Sequence, residues 1–124
     1  MAGVSYITVG SNDLEKAKAF YDALLGSIGM RGIMEHPSGG RLYSARDKGL
    51  FGVLAPHDGN EACVGNGTMG GFNFDTVEEV DAFHAKAIEL GAKNEGDPGH
   101  RMPKAYFAYF RDPDGNKLCG YKLG

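Results

Sequence analysis

Apolar and polar side chains alternate with period two over residues 4–10. Ile7 and Val9 share one side and Tyr6 and Thr8 the other, which predicts a strand with two different environments. The period then changes. Leu14, Ala17, Phe20, Tyr21, Leu24 and Leu25 recur at helical spacing, so a helix is expected. Asn12 is a suitable N-cap and Glu15 stands three residues on, a capping-box arrangement, while Gly26 suits a C-terminal stop. Three short β-runs follow, around 30–35, 41–46 and 50–55. Pro37-Ser38-Gly39-Gly40 and Asp47-Lys48-Gly49 are their turns. This half reads β-α-β-β-β.

A loop over 56–67 leads into a second half of the same form. Residues 69–74 read as a strand. Thr76 and Glu79 make a second capping box. Val77, Val80, Phe83, Ala87, Ile88 and Leu90 form an amphipathic helix that ends at Gly91. A short strand is expected over 92–95 and a loop over 97–103. The chain closes on a hairpin, whose turn is Arg111-Asp112-Pro113-Asp114-Gly115-Asn116: Pro113 presets a turn angle and Gly115 supplies positive φ. The halves match at a fixed offset: Tyr6 and Met69, Leu14 and Val77, and Phe20 and Phe83 each lie 63 residues apart. The expectation is an internal duplication, with module 1 over 1–58 and module 2 over 66–124 of one α+β domain. Each helix covers one face of a small mixed sheet. The opposite, curved faces are expected to pair around a cleft.

Composition narrows the partners. A net charge of −3 with no run of Lys or Arg argues against nucleic acid and anionic membranes. No apolar run approaches membrane length, and residues 2–9 are too short and too uncharged for a signal peptide, so a cytoplasmic protein is expected. Cys63 and Cys119 form no C-x-x-C pattern and read as free thiols. The 65–70 segment matches G-x-G-x-x-G, but it opens a strand where a dinucleotide site needs a helix N-terminus, so that reading is rejected.

The paired βαβββ modules, the helix opening Asn-Asp-Leu-Glu-Lys-Ala-Lys-Ala-Phe-Tyr-Asp-Ala-Leu-Leu-Gly over 12–26 and the closing Phe-Arg-Asp-Pro-Asp-Gly-Asn-Lys-Leu over 110–118 resemble the vicinal oxygen chelate superfamily. That superfamily includes glyoxalase I, extradiol dioxygenases, fosfomycin-resistance enzymes and bleomycin-binding proteins. The resemblance covers essentially the whole chain. It implies a homodimer and, in metal-dependent members, four cleft ligands of His and carboxylate type around a Lewis-acid ion with an open position. The corresponding positions here are Tyr6, Gly52, Met69 and Cys119, which include neither His nor carboxylate. No metal cofactor is therefore expected at this site. A divalent ion held elsewhere by His36, His57 or His100, in loops beside Glu35, Asp58 and Asp97, is the alternative. His84 is expected at the boundary of the second helix.

The cleft is expected to be lined by Tyr6, Thr8, Met69, Asn73, Phe107, Tyr109, Arg111, Cys119 and Tyr121, an aromatic surface suited to a small organic ligand. Arg111 would suit a carboxylate or phosphate on that ligand. The resemblance then implies a small-molecule binding protein with a degenerate metal site, similar to the bleomycin-resistance branch. Two other readings remain. One is a glyoxalase- or dioxygenase-type enzyme with unorthodox metal ligands. The other is a metal-free lyase or isomerase, with Tyr6 as acid, Cys119 as nucleophile and Arg111 as electrostatic clamp.

Overall fold

The computed structural model describes residues 1–45 and 48–124. The expected turn at 47–49 and the end of the run at 41–46 thus lie partly outside the described residues. The chain divides into two compact units, Met1–Cys63 and Val64–Gly124, and the division falls inside the loop read at 56–67.

The first unit runs β1 (Tyr6–Gly10), α1 (Leu14–Gly26), β2 (Arg31–Glu35), β3 (Arg41–Ser44) and β4 (Leu50–Leu54). Its sheet has the order β1-β4-β3-β2, with β1 parallel to β4 and the other pairs antiparallel. The helical stripe read from the sequence is the buried one: Ala17, Phe20, Tyr21, Leu24 and Leu25. Tyr21 meets Phe51 at 4.9 Å and Tyr43 at 6.3 Å between ring centroids, which joins helix to sheet. A polar clamp reinforces the joint. The Tyr43 hydroxyl donates to Asp22 Oδ1 at 2.7 Å, and Arg41 donates to both Asp22 and Glu35. Burial and the Asp22 carboxylate together push the Tyr43 phenol well above its ordinary range.

The cap of α1 differs from the expected one. Asp13, not Asn12, is the N-cap, and its carboxylate accepts from the Lys16 N–H at 3.1 Å. Asn12 is engaged elsewhere: its Nδ2 donates to the Ala62 carbonyl at 3.0 Å and its Oδ1 accepts from the Ala62 N–H at 2.7 Å. The stop also differs. Gly26 is still helical, Ser27 is the C-cap, and the positive φ falls at Gly29.

The second unit runs β5 (Gly70–Asn73), α2 (Val77–Glu89), β6 (Lys93–Met102), β7 (Ala105–Arg111) and β8 (Lys117–Leu123), in the sheet order β5-β8-β7-β6. The Thr76–Glu79 capping box is present with both of its bonds. Gly70 opens β5, so the glycine-rich segment does lead into a strand. Under α2, Phe83 lies 5.1 to 5.5 Å from the rings of Phe72, Phe74 and Phe110. Ile88, by contrast, is exposed.

The 97–103 segment is not a loop: residues 97–102 belong to β6, which pairs with β7 through three register shifts, and only Pro103 lies in the turn that follows. Asp97-Pro98-Gly99 reads locally as a turn. On an edge strand, however, Pro98 need not donate to a ladder, and bulges absorb the irregular residues. The closing hairpin forms as read. Asp112 is buried at its turn: Oδ1 accepts the N–H groups of Asp114 and Asn116, and Oδ2 accepts from Asn116 Nδ2, all at 2.9 Å. Gly115 has a φ of 91°, which only glycine adopts without strain. Among the described residues, no helix is long and apolar enough to cross a membrane.

Candidate ligand-binding face

The two sides of the second sheet carry different chemistry. Phe72, Phe110 and Gly120 lie against α2, since a Cβ at Gly120 would stand 2.8 Å from the Phe83 ring. Alternation then turns Gly71 and Asn73 of β5, Phe107, Tyr109 and Arg111 of β7, and Lys117, Cys119 and Tyr121 of β8 to the other side. There the rings make a ladder. Tyr121 stacks on Phe107 at 5.2 Å and Phe107 on Tyr109 at 5.8 Å, each with 13° between planes. Glycines make room beside it. A Cβ at Gly71 would meet Tyr121 at 3.1 Å and Cys119 Sγ at 3.3 Å, and one at Gly96 would meet Tyr109 at 2.8 Å.

Two cations stand over the Tyr109 end: Lys117 Nζ at 5.1 Å from the ring centroid and Arg101 Cζ at 5.3 Å, both within cation–π range. Arg111, expected to be available to a ligand, is committed to Glu95 and to the Gly115 carbonyl. That bond holds the Glu95 carboxyl below its ordinary range. Arg101 is absent from the expected lining because Asp97-Pro98-Gly99 reads locally as a loop, whereas the residue lies on β6.

His84 is more deeply placed than a boundary residue, at 6 % exposure. Its Nε2 faces two acceptors, Asn94 Oδ1 at 3.0 Å and the Tyr109 carbonyl at 3.1 Å, so that nitrogen carries the proton and donates. The side chain thus ties α2 to the backbone of a ladder residue. The signal was present in the spacing, since positions 80, 83, 84 and 87 form one helical stripe.

Of the four positions that the resemblance assigns to metal ligands, Tyr6 and Gly52 fall in the first unit and Met69 and Cys119 in the second. Tyr6 is 51 % exposed on β1, two residues from Thr8 on the same side. Gly52 pairs with Thr8, as Cys119 pairs with Gly71. Thr8 and Gly71 keep the 63-residue offset, so Gly52 and Cys119 are the same position in the two repeats. A Cβ at Gly52 would lie 2.7 Å from Leu42 Cδ2, so a side chain there requires the end of Leu42 to shift. Met69 is exposed just before β5. These four residues offer a phenol, a glycine without a donor side chain, a thioether and a buried thiol, whereas hard divalent ions prefer carboxylate and carbonyl oxygens. Among the described residues, no three His, Cys, Asp or Glu side chains gather into a group able to hold a metal. His36 bonds Ser38 within its own turn, His57 is exposed, and His100 packs edge-on against Tyr106 on β6. The first unit also has a cavity of about 310 Å³ beside β1, with Thr8 on its wall together with Leu54, Glu61 and Cys63.

Burial pushes the Cys119 thiol up to about 11, and Lys117 offsets this only in part. The thiolate is the reactive form, so burial keeps Cys119 overwhelmingly as the unreactive thiol at pH 8. Cys63 is exposed. A disulfide-exchange reagent at pH 8 is therefore expected to titrate one thiol per native chain rapidly and a second only after denaturation. Two thiols reacting at comparable rates in the native protein would contradict the packing described for Cys119.

The sequence matches the family model of the Glyoxalase/Bleomycin resistance protein/Dioxygenase superfamily over residues 3–119, and the chain belongs to that superfamily. Its fold is similar to a glyoxalase/bleomycin resistance protein from Albidiferax ferrireducens T118, with 44% identity, 98% of each chain covered and a TM-score of 0.88. A glyoxalase/bleomycin resistance protein/dioxygenase family enzyme from Burkholderia phytofirmans PsJN shares the fold at 23% identity, covering 99% of this chain and 100% of that one, with a TM-score of 0.77. A lactoylglutathione lyase from Agrobacterium tumefaciens shares it at 21% identity, covering 98% and 94%, with a TM-score of 0.70. No curated protein gives a significant match.

Proposed function

We propose that the protein binds a small organic molecule on the ladder face of the second sheet and uses no metal at the superfamily's ligand positions. The observation that carries this reading is the exchange of chemistry at those positions. Where a metal-dependent relative needs His and carboxylate, this chain has Tyr6, Gly52, Met69 and Cys119. Beside Cys119 it has three stacked rings, which are apolar, rigid and half-buried. Rigid aromatic surface binds planar groups at low entropic cost. The same reading treats the protein as a cytoplasmic homodimer, by analogy with the superfamily.

A nucleophilic role for Cys119 finds no support in its surroundings. Burial shifts its thiol away from the thiolate, and the nearby Lys117 charge offsets this only in part. The direct test is elemental analysis of tag-free protein purified without chelators. Less than about a tenth of an equivalent of any transition or alkaline-earth metal per chain is expected. One equivalent that survives dialysis would overturn the metal-free reading.

A further inference from the structure

The ladder face is not electrically neutral, and its charge is unevenly placed. Arg111 and Glu95 cancel each other as an ion pair. Arg101 is charged, but its guanidinium bonds only to the neutral carbonyls of Asp97 and Gly99. The Lys117 ammonium makes no hydrogen bond or salt bridge among the described residues; it rests over the Tyr109 ring and acts on the Glu95 carboxylate only at longer range. The stack is therefore graded: purely aromatic at Tyr121 and Phe107, cationic at Tyr109. The Tyr109 and Tyr121 hydroxyls have no hydrogen-bond partner among the described residues, so they too are available to a ligand.

We infer that this face takes a planar aromatic anion, its ring against Tyr121 and Phe107 and its carboxylate or equivalent group at Lys117. The inference rests on the reading of this face as a binding surface and adds the ligand's charge and shape. A flat ring extends a near-parallel stack without disturbing it. An anion meets a cation that is half-buried and held by no hydrogen bond or salt bridge, since the nearby Glu95 carboxylate bonds Arg111 instead, and this favours a charge-assisted hydrogen bond. A cationic ligand would meet like charge at the same place.

The test uses the whole chain and two planar probes, 2-naphthoate and the uncharged 2-naphthylmethanol, followed by probe fluorescence. The chain has no tryptophan to interfere. 2-Naphthoate is expected to bind about tenfold or more tighter than the alcohol. Lys117→Met is expected to erase that difference, and Lys117→Arg to keep it. A thermal melt of each variant confirms that it is folded. Equal binding of both probes, unaffected by Lys117→Met, would overturn the charge inference and leave the aromatic binding surface standing. Binding of both probes that is unchanged in Phe107→Ala, or no binding of either probe, would overturn the binding surface itself.

Discussion

Replacing Gly40 by alanine is expected to cripple the first unit. Gly40 is buried where the turn enters β3, and a Cβ there would lie 2.0 Å from the Val53 carbonyl oxygen and 2.7 Å from Leu54 Cα. Those atoms are backbone. They belong to β4, an inner strand held by β1 on one side and β3 on the other, so they cannot retreat without breaking a ladder. Overpacking against rigid backbone costs at least about 3 kcal/mol. For a domain of this size that lowers the melting temperature by roughly 10 °C or more. Gly26→Ala is the control. Nothing lies within 4 Å of its Cβ position, and it is the last residue of α1. Alanine there is expected to gain about 0.5–1 kcal/mol by restricting the unfolded chain. The check is a pair of circular-dichroism melts. A Gly40→Ala protein that melts with the wild type would show that β4 has room to move.

The second large effect is expected at Phe83. Its side chain is 1 % exposed and touches Phe72, Phe74 and Phe110, with glycine at position 120 leaving the space its ring occupies. Phe83→Ala removes the hub of that cluster and leaves a cavity that sheet and helix can fill only in part. The expected cost is about 3–5 kcal/mol. Phe83→Leu keeps most of the apolar volume and should cost under about 1.5 kcal/mol. Urea titrations of both variants separate the outcomes. If they unfold at the same midpoint, the ring does not hold the second core together.

The architecture was legible because periodicity and turn chemistry are local. Both helical stripes and the hairpin turn at Asp112–Asn116 follow from neighbours in sequence, and the repeated element order follows from setting the two halves side by side. The misreadings have distant causes. Asn12 and Asp13 are both good capping types, and what separates them is Ala62, which holds the Asn12 amide with two hydrogen bonds. Once Asp13 is the cap, it stands 63 residues from Thr76, so the true caps obey the offset better than the expected pair. Pro98 misled for a similar reason. A proline that ends an inner strand is harmless on an edge, and edge position depends on the whole sheet. At the candidate site, alternation placed Phe107, Tyr109, Cys119 and Tyr121 on one side. It could not show that Arg111 is spent on Glu95, or that Lys117 and Arg101 stand over Tyr109, because those contacts join separate strands.

The confinement of each sheet to its own unit also bears on how the chain is made. Every strand that pairs in the first sheet lies within Met1–Cys63, and every strand of the second within Val64–Gly124. On the ribosome, the complete set of partners for the first sheet emerges before any strand of the second exists. Halves of the same topology leave room for mispairing, such as β1 taking β8 in place of β4, and misassembly of this kind is a characteristic failure of repeat architectures. Emergence from the N-terminus gives β4 a head start of tens of residues over its imitator, equivalent to seconds at ordinary rates of synthesis. Parallel closure of β1 on β4 is slow compared with forming a hairpin but fast on that scale. The order of synthesis therefore helps to keep the two copies apart.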